Sequence, residues 1–269
     1  MEISKKSRKI NTNCKKINPE WVEWLMGWVI GWTDTKPLPH IATQKNSWDK
    51  EPDIDRIVYD YKDRAKRIKA LGNGQVPACA VSAWLMLFER LTNKLPPQNL
   101  NVLHLFSGAG GGIIADMMLN NNPIGAVEID EYCRKILIMR QKDGWLPKFP
   151  IYKDVRLFDG REIQDRVDVV SGGFPCQDIS CAGSGNGING NRSSLFYELT
   201  RICRNLQPMY IFLENSPFII TRGIETVLGE ISEMGYDAEW CCLGASEVGA
   251  WHRRERWWCL CKKNSIPDS

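Results

Sequence analysis

Residues 101–119 read NVLHLFSGAGGGIIADMML. The apolar run NVLHLFS (101–107) has the length of a buried strand, and GGIIADMML carries its apolar residues at helical spacing. The glycines between them let the backbone turn tightly and come close to a ligand at a helix N-terminus. Strand, glycine turn and helix in that order predict the opening of a βαβ unit.

The same pattern recurs downstream. IGAVEID (124–130), VDVVSGG (167–173) and MYIFLEN (209–215) read as strands, and EYCRKILIMRQ, SLFYELTRICRNL and IETVLGEISEMG as helices. Strands separated by helices pair in parallel through right-handed crossovers. AEWCCLGAS and RERWWCLCKK read as a terminal strand pair. The expected fold is α/β, a doubly wound and mostly parallel sheet with an antiparallel hairpin at one edge.

Upstream of residue 98 the pattern changes. NPEWVEWLMGWVIGWTD is aromatic and punctuated by glycine, and residues 33–56, with Pro37, Pro39 and Pro52, read as loop. DYKDRAKRIKALGNGQVPACAVSAWLMLFERL joins a basic stretch, a Gly-Asn-Gly turn and an apolar helix of about four turns. Pro96-Pro97 ends that helix. The chain therefore divides into a basic tail (1–17), a loop-rich segment with one helix (18–97) and a core (98–269).

Of the 269 residues, 43% are hydrophobic and 25% charged, the composition of a soluble globular protein rather than a disordered or membrane-spanning one. A net charge of +3 permits a polyanionic partner without requiring one. The tail, with Lys5, Lys6, Arg8, Lys9, Lys15 and Lys16, has no apolar stretch for a secretory signal, so a cytoplasmic location is expected. It reads as a solvated segment or as one that contacts phosphates. The ten cysteines form no C-x-x-C pair, and no metal site is expected. Cys259 and Cys261 alternate along a strand and read as small buried hydrophobes on one face.

Two places carry chemistry. The glycine turn is followed by Glu128 at the end of the second strand, where an acid can bind ribose hydroxyls, so strand, turn, helix and acid suggest a nucleoside cofactor site. The dinucleotide fingerprint fails, because Ile113 stands at its third glycine, and a tight turn without a ligand is the other reading. In DVVSGGFPCQDIS, Cys176 follows a strand into a rigid Phe-Pro, as a nucleophile, a metal ligand or a packed residue could. Glu214 ends another strand, and a carboxyl in a dry pocket keeps its proton for a ring nitrogen. Arg254 and Arg256, two apart at a strand start, are expected to face the same way and supply positive charge to both groups.

GGFPCQDIS, LFSGAGG, LENS and RRER, at this spacing, resemble the DNA (cytosine-5) methyltransferase family over almost the whole of residues 100–262. The resemblance implies S-adenosyl-L-methionine as cofactor, a sheet of the type found in methyltransferases that use it, and double-stranded DNA with a flipped cytosine as partner. It implies Cys176 as nucleophile at carbon 6, Glu214 at ring nitrogen 3, and Arg256 with Arg254 holding the base. Phe106, Gly108 and Gly111 would line the methionine and adenosine side. Glu128 would take the ribose, Asp154 and Val155 the adenine, and Pro175 and Leu195 would wall the sulfonium pocket. The loop QDISCAGSGNGINGNRSS looks like a lid over the base.

The sequence departs from the family pattern in several places. LGNGQVPACAVSAWLML (71–87) resembles the family's last helix but precedes its first motif, so the chain looks circularly permuted, with Asn73 returning to the cofactor pocket. The segment that reads DNA sequence should follow RRERWWCLC, yet the sequence ends at Ser269, which suggests a missing target-recognition domain. A separate target-recognition subunit would supply that function, as would the tail or the polar loop 33–70. His104 stands where an acid is usual, Ser216 where valine is common, and Trp251-His252 where Pro-Gln is frequent. A catalytically silent, nucleic-acid-binding regulator is the alternative from another class.

Overall fold

The structure is a computed structural model that describes residues 15–39, 48–59, 62–175 and 195–264. In chain order its elements are β1 (Lys16–Ile17), α1 (Pro19–Leu25), β2 (Ile57–Val58), α2 (Arg64–Asn73), α3 (Pro77–Thr92), β3 (Asn101–Leu105) and α4 (Gly111–Met118). Then follow β4 (Asn122–Val127), α5 (Glu131–Lys142), β5 (Ile151–Tyr152), β6 (Val169–Gly173), α6 (Leu195–Leu206) and β7 (Tyr210–Asn215). The last are α7 (Ile219–Arg222), α8 (Ile224–Glu233), β8 (Tyr236–Leu243) and β9 (Arg256–Lys263).

Seven strands form one sheet in the order β5-β4-β3-β6-β7-β9-β8. The pairs from β5 to β7 are parallel, while β9 runs antiparallel to β7 and to β8. The anticipated hairpin is therefore present, with its second strand inserted next to β7. The order reverses between β3 and β6, and open α/β sheets bind ligands beyond the strand ends at such a point.

Alternation along the strands builds two cores. Val102, Phe212, Trp258 and Leu260 face one side, with Trp28, Trp32, Trp84 and Leu137. Leu103, Leu105, Ile211, Leu213, Trp257, Cys259 and Cys261 face the other, with Phe196, Ile202 and Val227. Cys259 and Cys261 are buried on one face with their sulfurs 3.7 Å apart, as period two requires. Trp84 of α3 packs edge-on against Tyr210 and Phe212, so the helix before the first motif lies on the sheet itself.

Two boundaries move inward from their expected places. Phe106 turns the chain with φ +56°, ending β3 at Leu105. Asp130 caps α5 through its side chain (Cys133 N to Oδ1, 3.1 Å), so β4 stops at Val127 and Glu128 lies just beyond it. The basic stretch is also helical: α2 runs from Arg64, inside the expected loop 33–70, to Asn73, so the Gly-Asn-Gly sequence is a helix end. Arg67 drives this, because its side chain is buried against the carboxylate of Glu23 at 2.8 Å rather than solvated. Among the described residues no helix is long and apolar enough to cross a membrane.

Candidate active site

The glycine turn and the α2–α3 connection meet at one cleft. Asn73, Gly74 and Gln75 face Phe106, Ser107, Gly108 and Gly111 across it, and Gly173 and Glu214 close the end where β6 and β7 finish. Four expected cofactor residues, Asn73, Phe106, Gly108 and Gly111, thus converge with the expected catalytic Glu214.

The turn is held from behind by residues remote in sequence. Trp32 Nε1 donates to Ala109 O at 2.8 Å, and Trp28 Nε1 to Gln75 O at 2.9 Å. Gly111 has to be glycine, since a Cβ there would lie 2.7 Å from Gln75 O and 2.8 Å from the Trp28 ring. Gly108, at φ +55°, is different: nothing lies within 4 Å of where its Cβ would be, so space opens above it. Beside it Ser107 Oγ is buried without a hydrogen-bond partner among the described residues. Open backbone next to an orphaned hydroxyl suits a polar ligand.

Glu128 is buried, with Oε2 accepting from Gly108 N and Oε1 from Asp130 N, each at 2.7 Å. Burial raises its pKa, and the two N–H groups oppose that rise. The carboxylate latches the turn, and each oxygen keeps a lone pair for a hydroxyl donor. Val155 is buried in the core, while Asp154 is held by Arg156 at 2.6 Å, which keeps its carboxyl down at about 2. Leu195 opens α6, partly buried, and Pro175 is exposed at the end of the Phe-Pro pair. Cys176 and the loop expected to act as a lid lie outside the described residues.

Glu214 is the penultimate residue of β7, paired with Gly173 on one side and Trp258 on the other. Its Oε1 lies 3.0 Å from Arg256 Nε. Burial raises its pKa, and Arg256, Arg254 and a hydrogen bond from Gln75 oppose the rise. Next to it, Asn215 Nδ2 donates to Phe174 O at 2.9 Å, tying the end of β7 to the segment that leads into Cys176.

Arg254 behaves differently from expectation. Strand alternation does not extend to it, because β9 begins at Arg256 and Arg254 has φ +25°. Its Nη2 donates to Gly72 O and Gly74 O, both at 2.7 Å, so it clasps the Asn73 turn. Burial lowers its pKa to about 10, and its charge still reaches Glu214. His104, buried in β3, pairs with Asp116 of α4 at 2.7 Å. His252 reaches Leu25 O at 3.0 Å and fastens α1. Sequence reading missed Gln75, Trp28, Trp32 and Asn215. Asn215, inside LENS, and Gln75, inside LGNGQVPACAVSAWLML, lay in stretches that could have marked them.

Residues 100–268 match the family model for C-5 cytosine-specific DNA methylase. The Type II methyltransferase M.CviJI of Paramecium bursaria Chlorella virus IL3A is 33% identical over 63% of this chain and 45% of its own. M.HpaII of Haemophilus parainfluenzae is 32% identical over 65% and 49%. A crystal structure of mutant Spodoptera frugiperda DNMT2, 21% identical, superposes with TM-score 0.50 over 62% of this chain and 51% of that one, a likeness of fold. The chain spans about half the length of the curated relatives it matches.

Proposed function

Because the chain belongs to the C-5 cytosine-specific DNA methylase family, we propose that it transfers a methyl group from S-adenosylmethionine to carbon 5 of cytosine in DNA. The reaction runs through a covalent adduct on Cys176, with the base turned out of the duplex. The observation that carries this reading is Glu214, half-buried beside Arg256 at the closed end of a glycine-turn cleft.

The open backbone at Gly108, the orphaned Ser107 hydroxyl and the Glu128 carboxylate fit the cofactor's hydroxyls and charged groups. Phe106, Gly108, Gly111 and Asn73 would hold its amino-acid and nucleoside portions, Glu128 the ribose, Asp154 and Val155 the adenine. Pro175 and Leu195 would border the sulfur. When bound, S-adenosylmethionine supplies an electrophilic methyl group on a sulfonium.

Carbon 5 of cytosine is a poor nucleophile. The Cys176 thiolate adds to carbon 6, opening the 5,6 double bond and leaving an enamine that is nucleophilic at carbon 5. Glu214, whose burial favours its protonated form, donates to ring nitrogen 3 and stabilises that enamine. Arg256 fixes the carboxyl and offsets charge near the base. After transfer, the carbon 5 proton leaves to a base and the carbon–sulfur bond breaks, restoring the double bond and the thiolate. Turning the base out costs a few kcal/mol, roughly the energy of unstacking and unpairing it.

Residues 18–97 take the part that the family's last elements play, through a circular permutation. The packing of α3 on the sheet and the position of Asn73 at the cleft support that assignment. Incubation with labelled cofactor and DNA containing 5-fluorocytosine tests the mechanism. A stable protein–DNA adduct is expected, lost on Cys176→Ser. Absence of both adduct and label on DNA would refute the reading.

A further inference from the structure

We propose that Gln75 is a positioning residue for Glu214: its side-chain amide sets the direction in which the Glu214 carboxyl presents its proton. The inference rests on the function proposed above and gives a role to Gln75, which lies within LGNGQVPACAVSAWLML.

Gln75 lies between α2 and α3, and its backbone has almost no freedom. Its carbonyl accepts from Trp28 Nε1 at 2.9 Å. Its main chain also presses on Gly111, where a Cβ would sit 2.7 Å from Gln75 O and 3.0 Å from Gln75 N. The side chain leaves this anchor and spans the cleft. Oε1 lies over Gly112, 2.8 Å from where a Cβ would be, at the first turn of α4. Nε2 lies over Gly173, 3.6 Å from the corresponding position there, which Glu214 Oε2 approaches to 2.5 Å.

The chemistry of an amide fixes which end goes where. Only its NH₂ can donate to a carboxylate, and only its oxygen suits a helix N-terminus whose N–H groups are unpaired. Gln75 accordingly hydrogen-bonds the Glu214 side chain, while Arg256 Nε holds Oε1 at 3.0 Å. The carboxyl is gripped from β9 and from the α2–α3 connection. The terminal torsion of a glutamate is broad and has little preference of its own. Without the amide, one of its two grips is lost, and the proton-bearing oxygen can turn away from ring nitrogen 3.

The charged groups bearing on Glu214 are Arg256 and Arg254, with Gln75 as the neutral donor. All three favour the ionised carboxyl against burial. Removing the donor therefore raises the pH at which Glu214 loses its proton.

The test is the single-turnover rate of methyl transfer as a function of pH, for wild type, Gln75→Met and Gln75→Glu. Methionine keeps the length and loses the donor. The rate should fall about tenfold, the effect of one charge-assisted hydrogen bond. The alkaline limb should move up by about one pH unit, while KM for DNA stays within about twofold. Glutamate keeps the shape and adds a second carboxyl, so its limb should move up further. A residue that served only the fold would reduce the active fraction and leave the limb in place. Unmoved limbs in whichever of the two variants folds would overturn the proposal. If wild type itself transfers no methyl group, the function proposed above fails instead.

Discussion

The molecule contains two glutamate–arginine pairs of nearly equal length, one fully buried and one partly exposed. Arg67 Nη2 lies 2.8 Å from Glu23 Oε1, and Arg256 Nε lies 3.0 Å from Glu214 Oε1. Burial raises the pKa of both glutamates. Their surroundings separate them. Around Glu23 the donors all come from the protein: Thr33 N and Thr33 Oγ1 donate to Oε1 along with Arg67, and Gly31 N donates to Oε2. Both side chains are fully buried there. Glu214 is 14% exposed and Arg256 27%, and the carboxyl faces a cleft. A fully buried glutamate held by four donors fastens chain segments together. One that meets a cleft has capacity left for a substrate.

Breaking the second pair should give the largest change. Glu214→Gln is expected to lower single-turnover methyl transfer by about a thousandfold, the scale of a lost general acid, with unfolding free energy nearly unchanged. Equal loss of stability and activity would erase the contrast between the pairs. At the first pair the effect falls on folding. Arg67→Met leaves Glu23 buried and uncompensated and should cost about 3–5 kcal/mol in urea unfolding. Adding Glu23→Leu should recover much of that, because the unpaired charge is then gone. A double variant no better than the single would show that the network contributes more than mutual compensation.

Trp32→Phe removes the indole donor to Ala109 O and should cost about 1–2 kcal/mol. Because Ala109 lies in the glycine turn, cofactor binding measured by calorimetry should weaken more than DNA binding. The smallest effect is a pH dependence. The folded pKa of Glu214 is raised, so the stability this group contributes is complete below its ordinary value of 4.5 and is lost as pH climbs through the folded value. Melting temperatures of wild type and Glu214→Gln should therefore separate as pH rises, with wild type falling behind. Parallel melting curves across that range would mean that Glu214 titrates as it does in the unfolded chain.

What could be read in advance follows the range of the interactions. Strands β3, β4, β6 and β7 and their helices announced themselves through local periodicity, as did the glycine turn and the acid after it. The terminal strand pair was legible too, since the apolar run WWCLC between charged residues has the length of a buried strand. Arg67 was hidden because DYKDRAKRIK reads as a basic stretch, and its partner Glu23 lies in a segment that reads as aromatic. The indole donors of Trp28 and Trp32 act over 47 and 77 residues, and nothing local marks them. Gln75 sat between a Gly-Asn-Gly and a Val-Pro that together read as a turn. Arg254 lies two residues before β9 at φ +25°, beyond the reach of strand alternation.

The proposed function is methylation of cytosine at carbon 5. DNA incubated with the purified chain and S-adenosylmethionine, then digested to nucleosides and separated by mass spectrometry, tests it directly. 5-Methyldeoxycytidine is expected, absent with Cys176→Ala. Methyl groups found only on an exocyclic nitrogen, or on no nucleoside at all, would contradict it.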